Sequence, residues 1–173
     1  MMLVRYLFVI VIFCAANVYA GEINNHFYIS VAAGTGTLNG NDYDQSTTGY
    51  TRVGMNLQHE SLAAGYVDLG KFDYRHTANS YIKARAYTLS VDKLFQFDRR
   101  VGLSIKAGLC VWRTETGYLG SNLGEDNGTG TFIGFAPRLR FNPHTSVFLG
   151  MERYFDVNGA DITTADLGLV LDF

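Results

Sequence analysis

The sequence predicts an all-β fold, an eight-stranded antiparallel up-and-down barrel, on three observations. Apolar and polar-or-small residues alternate with period two along nearly all of the chain after residue 25. The alternating stretches number eight, an even count that lets a meander close on itself. Composition agrees: the chain of 173 residues has 19 glycines, 2 prolines, 14% aromatic residues and only 17% charged residues. Ordinary domains carry about 7% glycine and about 25% charged residues. No stretch shows a convincing helical stripe, which argues against a helical bundle.

The first stretch sets Phe27, Ile29, Val31 and Ala33 against Tyr28, Ser30, Ala32 and Gly34. The second sets Thr51, Val53, Met55 and Leu57 against Arg52, Gly54 and Asn56. In the third, from Ser61 to about Tyr74, Leu62, Ala64 and Tyr66 share a side, and the parity blurs after Val67, which suggests a bulge. The fourth, Tyr81 to Phe95, alternates Tyr87, Leu89 and Val91 with Ala86, Thr88, Ser90 and Asp92. The fifth sets Val101, Leu103, Ile105, Ala107 and Leu109 against Gly102, Ser104, Lys106 and Gly108. In the sixth, Ile133, Phe135, Pro137, Leu139 and Phe141 oppose Gly134, Ala136, Arg138 and Arg140. The seventh has Val147, Leu149 and Met151 against Phe148, Gly150 and Glu152. The eighth has Ala165, Leu167, Leu169, Leu171 and Phe173 against Asp166, Gly168, Val170 and Asp172. Pro137 cannot donate to a ladder, so a bulge or a missing bond is expected there.

Connections after stretches two, four and six are tight, near Gln58–Glu60, Gln96–Arg100 and Asn142–His144. Those after one, three, five and seven are longer and polar, near Leu38–Thr48, Arg75–Ser80, Glu115–Thr129 and Val157–Ile162. Short turns at one rim and longer loops at the other describe a transmembrane barrel.

Residue type decides which face meets lipid. The polar face is rich in Gly, Ala and Ser, with isolated charges of both signs, whereas a water-facing surface carries many Lys and Glu. An eight-stranded bore is just wide enough to be filled by side chains, and small residues with a few opposed charges suit it. The bulky apolar face then contacts lipid, where only a closed barrel leaves no open edge. Two aromatic belts are expected: Phe27, Phe95, Phe141 and Phe173 near the short-turn rim, and Tyr50, Tyr66, Tyr81 and Phe155 toward the other.

Several inward charges fall about seven residues from the short-turn rim, which is roughly 18 Å at strand rise and tilt. A paired layer of Arg52 and Lys106 with Glu152 and Asp166 is expected there, with Arg138 and Asp92 lower down, because isolated charges at that depth are costly. Such a layer either plugs the bore or gates it.

The first twenty residues read as an export signal. Arg5 precedes the apolar run Leu7 to Phe13, and Val18-Tyr19-Ala20 offers a cleavage site near Ala20. A membrane-anchoring helix needs about 20 apolar residues, and this run weakens at Asn17. The signal over 1–20 is followed by a barrel domain over 21–173. Of the two cysteines only Cys110 remains after cleavage, so no intrachain disulfide is available. With 14 basic against 16 acidic side chains, nothing favours nucleic acid.

Several segments resemble the OmpA-like membrane-domain family. Gly65-Tyr66-Val67-Asp68-Leu69-Gly70-Lys71 resembles its third strand and Lys106 to Arg113 its fifth. Phe135-Ala136-Pro137 is similar to its sixth, Met151-Glu152-Arg153-Tyr154 to its seventh, and Leu167 to Phe173 to its closing strand. The resemblance covers essentially the whole mature chain. It implies export to the bacterial outer membrane and contact with lipid and lipopolysaccharide. It also implies recognition by the barrel-assembly machinery through the terminal Phe173, and a lumen that gates. Asp172 departs from the family, which more often has a basic or polar residue before the final aromatic.

The resulting expectation is a monomeric, structural, surface-exposed barrel whose polar loops meet host or environmental ligands, with a narrow gated pore as the alternative. Enzyme signals are weak. His144 and Ser146 with Glu152 resemble the arrangement of barrel-type lipid A deacylases, but Glu152 lies about 20 Å along the strand from Ser146. His26, His59, His76 and His144 lack zinc-ligand spacing, and Glu125-Asp126-Asn127-Gly128 lacks a full calcium ligand set. No catalytic residue, metal or cofactor is assigned.

Overall fold

A computed structural model describes residues 26–39, 42–57, 60–77, 79–119 and 121–173. The expected signal sequence and the turn at 58–59 lie outside the described residues. Eight strands follow one another: β1 His26–Leu38, β2 Ser46–Leu57, β3 Glu60–Asp73, β4 Ser80–Gln96, β5 Val101–Tyr118, β6 Ser121–Asn142, β7 Thr145–Val157 and β8 Ala160–Asp172. Each pairs antiparallel with the next, and β1 pairs with β8 from Tyr28↔Asp172 to Leu38↔Ile162, closing the barrel.

The faces divide by size. Val53, Leu89, Ile105, Ile133, Leu149 and Leu167 point outward and are 47–62% exposed, while Arg52 and Lys106 are 1% and 6% exposed inside. Large apolar side chains on the outer surface and charges in the bore are an arrangement that a lipid solvent stabilises and water does not.

Two irregularities fall where the sequence signals them. β3 slips register between Asp68 and Gly70, with Gly70 at φ 109°, a conformation that side-chain-bearing residues rarely adopt. The β6–β7 ladder lapses at Ala136 and Pro137 between Phe135↔Met151 and Arg138↔Phe148, in unchanged register.

The connections at the loop rim differ from expectation. The segments expected as loops near Glu115–Thr129 and Val157–Ile162 are largely ladder. β5 and β6 stay paired up to Tyr118↔Ser121, and β7 and β8 up to Val157↔Ala160. Alternation fades in the first of these because both faces there leave the apolar environment, yet backbone pairing continues without it. Asp156, Asn158 and Gly159 take positive φ in the second, where Asn and Gly accept the tight turn. β6 meets β7 only from Thr131 onward, so the edge Ser121–Gly130 has no strand neighbour among the described residues.

Candidate functional site

Within the bore, three zones stack along the axis. Nearest the loop rim, Leu38, Val67, Leu69, Phe72, Trp112, Val157 and Ile162 are buried as a continuous apolar core. Phe132 stacks on Tyr154 at the base of this core, with ring centroids 5.1 Å apart.

The middle zone is ionic. The Arg52 guanidinium donates through both terminal nitrogens to Glu152, Nη1 to Oε1 and Nη2 to Oε2, each at 2.6 Å. Lys106 Nζ reaches Glu152 Oε1 at 3.0 Å, and the Tyr154 hydroxyl donates to Glu152 Oε2 at 2.6 Å. One carboxylate is therefore shared by two cations and a phenol, and the cluster carries a net positive charge. Tyr50 lies against the Arg52 guanidinium at 4.1 Å from its ring centroid, and Phe132 sits at 5.4 Å. The rings cover charge that the walls would otherwise leave bare.

Local sequence makes this meeting feasible. Lys106 pairs with Gly134, and Gly134 pairs with Glu152. A Cβ on Gly134 would stand 2.8 Å from Glu152 Cγ and 3.1 Å from Lys106 Cγ, so the glycine opens the gap across which the two charges join.

The zone nearest the turns is open and polar. A cavity of about 760 Å³ is bounded by Tyr28, Asn56, Ser61, Asp92, Ser104 and Arg138, and ends against Tyr50, Lys106 and Phe148. Arg138 Nη2 donates to Asp172 Oδ2 at 2.6 Å, and Asn56 Nδ2 to Asp172 Oδ1 at 3.3 Å.

The expected charge layer is thus rearranged. Arg52, Lys106 and Glu152 converge. Asp166 does not join them: its carboxylate accepts from the hydroxyls of Thr48 at 2.7 Å and Thr164 at 2.8 Å. Two hydroxyls satisfy it, so it needs no cation. Arg138 and Asp92 do not pair with each other, since Asp172 takes Arg138 and the Tyr28 hydroxyl donates to Asp92 at 3.3 Å. Asp172 was readable only as a departure from a family pattern, although its parity already placed it inside.

Of the expected aromatic belts, Phe27, Phe95, Phe141, Phe173 and Tyr66 are exposed on the outside, and Tyr81 and Phe155 are half-buried on the same outward parity. Tyr50 is a correction. It is 6% exposed, faces inward with Arg52 and Gly54, and stacks on Phe148 at 6.2 Å. Its even position in β2 dictates this, since Thr51 and Val53 hold the lipid face. Tyr154 and Phe132 escaped the sequence reading, though Tyr154 follows Glu152 by two and so had to share its face. Ser146 is buried near the turn rim and Glu152 is committed to Arg52, so the two do not meet.

The model of the outer membrane protein β-barrel domain matches residues 6–173. The chain belongs to this family. It is an outer-membrane β-barrel, and in such barrels the short turns face the periplasm and the longer connections the exterior. No curated protein matches it by sequence. Among solved structures, it is similar to Neisserial surface protein A, at 12% identity and TM-score 0.68, over 88% of this chain and 100% of that one. The N-terminal barrel domain of Pseudomonas aeruginosa OprF is similar at 16% identity and TM-score 0.65, over 88% and 100%. Ail, the attachment invasion locus protein of Yersinia pestis, follows at 12% and 0.59, also over 88% and 100%. At such identities the likeness concerns the fold.

Proposed function

We propose that the chain is a structural, surface-exposed barrel that meets its surroundings through its exterior hairpins, without catalysis and without a conducting bore. The carrying observation is the contrast at the exterior end: the bore is filled, while the β5–β6 hairpin stands free. Leu119 and Leu123 near its tip are 64% and 69% exposed, and the Ser121–Gly130 edge has no strand neighbour among the described residues. Such an edge can accept an added strand. No lysine or proline blunts it, and the register shift where β6 passes over Leu123 lies near the hairpin tip. That Ail is an attachment invasion locus protein on the same fold is in keeping with this reading.

The pore alternative requires water to pass Phe132, Tyr154 and the Arg52–Glu152 pair, all of which are at most 1% exposed. Two measurements test the proposal. The purified barrel should give no steady conductance in planar bilayers, and Glu152→Ala should leave that unchanged. Cells displaying the chain should bind serum-protein-coated surfaces, and removal of 115–125 should abolish binding while the heat-dependent gel shift of the folded barrel persists. Regular conductance steps, or binding indifferent to the deletion, would refute it.

A further inference from the structure

The turn rim carries positive charge that the fold itself does not neutralise. Arg99 and Arg100 lie in the β4–β5 turn, and Arg138 and Arg140 at the adjoining end of β6. All four line one small cleft with Gln96 and Gly102 at the mouth of the bore. The Arg140 amide donates to the Arg100 carbonyl at 2.7 Å, which fixes the two residues opposite each other. Like charges placed so are destabilising unless something else answers them. Arg138 has Asp172, but no ion pair reaches Arg99, Arg100 or Arg140 among the described residues. The nearby Asp98 carboxylate accepts from the Arg99 backbone amide at 2.6 Å.

The surroundings indicate what answers them. Just outside the cleft, Phe95, Val101, Leu139 and Phe141 are 41–62% exposed on the lipid face, and Phe97, in the same turn as the arginines, is 71% exposed. An apolar stripe ends here and guanidinium groups begin. That is the height of lipid phosphates, and guanidinium groups fork onto phosphate oxygens in bidentate fashion.

We propose that this cleft binds the headgroup of an anionic phospholipid of the periplasmic leaflet. Arg99, Arg100 and Arg140 hold the phosphate oxygens, and the acyl chains lie along Val101 and Leu139. The turn is the lip between bore and bilayer, so a headgroup reaches over it while its tails remain in lipid. The interaction serves an anchoring purpose separate from any exterior contact.

Native mass spectrometry of the full folded barrel, taken from bilayers with equal phosphatidylglycerol and phosphatidylcholine, tests this. The wild-type chain should retain phosphatidylglycerol in preference. The R99Q/R100Q/R140Q variant should lose that preference, with binding about a hundredfold weaker at roughly 1 kcal/mol per basic group near an anionic surface. Lys93→Gln, which removes a rim cation resting near Phe95 rather than in the cleft, should retain it. Should the triple variant fail to fold, the single turn variants R99Q and R100Q make the same comparison, each with about a fivefold loss. Equal retention by wild type and variants would overturn the proposal. So would displacement of the lipid by excess inorganic phosphate, which would mark a site for the free anion.

Discussion

The two halves of the bore are built from opposite materials. On the exterior side the space is taken up by Leu69, Phe72, Trp112, Phe132 and Ile162, whereas on the periplasmic side serines, Asn56 and separated charges leave a cavity of about 760 Å³. The Arg52–Glu152–Lys106 cluster marks the boundary. The comparison teaches that one closure suffices. With the exterior half packed as a protein interior, the periplasmic half has no sealing to do, and it tolerates polar groups that water can reach. The ionic layer faces wet space on one side and dry space on the other, and rings cover it on both: Phe132 from the packed half, and Tyr50 where the cavity ends.

Breaking that boundary should have the largest effect. Glu152→Ala leaves Arg52 and Lys106 without their shared partner in a site of 1–7% exposure, and removing one member of a buried pair costs about 3–5 kcal/mol. Urea titration of the folded barrel in lipid should show this loss. Replacing Arg52, Lys106 and Glu152 together by Met or Leu should recover most of it, because the uncompensated charges go as well. If Glu152→Ala were neutral, water would have to reach the cluster, and the boundary between the halves would not exist.

The next test separates the halves directly. Phe132→Ala opens a void in the dry half and should cost about 3 kcal/mol or more. Ser104→Ala, in the wall of the wet cavity, should stay within about 0.5 kcal/mol, as substitutions away from packing or buried polar partners do. Similar losses from both would erase the distinction.

Period-two alternation made the strands, their order and the inward charges legible, because lipid on one side and a narrow bore on the other impose opposite demands on successive residues. It lost force in two places. Beyond the apolar band neither face has a fixed solvent, so the β5–β6 extension near Glu115–Thr129 reads as loop although the backbone stays paired up to Tyr118↔Ser121. Inside the bore, parity gives direction but not partner. It puts Asp166, Glu152 and Asp172 on one side of the wall, and the choice among cations and hydroxyls rests on the stagger between strands that do not adjoin. Tyr50 shows a third failing, where height was used to assign a belt although parity had already turned the ring inward.

The smallest effect belongs to the exterior rim, outside both halves. Arg153 donates to Asp161 at 2.8 Å, and Asp161 accepts from the Asp156 amide across the β7–β8 turn. The hydrogen bonds from Arg153 hold the Asp161 carboxyl below the usual carboxylate range. A carboxyl with a depressed value favours the folded turn above its ordinary titration and loses that contribution as pH falls through the depressed value. Amide exchange at residues 156–160 should therefore quicken on acidification once corrected for intrinsic chemistry, and Asp161→Asn should show the faster rate already at neutral pH. The ion pair is exposed, so global unfolding should barely respond. Were the whole barrel to lose stability with this turn, closure would depend on its rim, and the packed exterior half could not be what seals the bore.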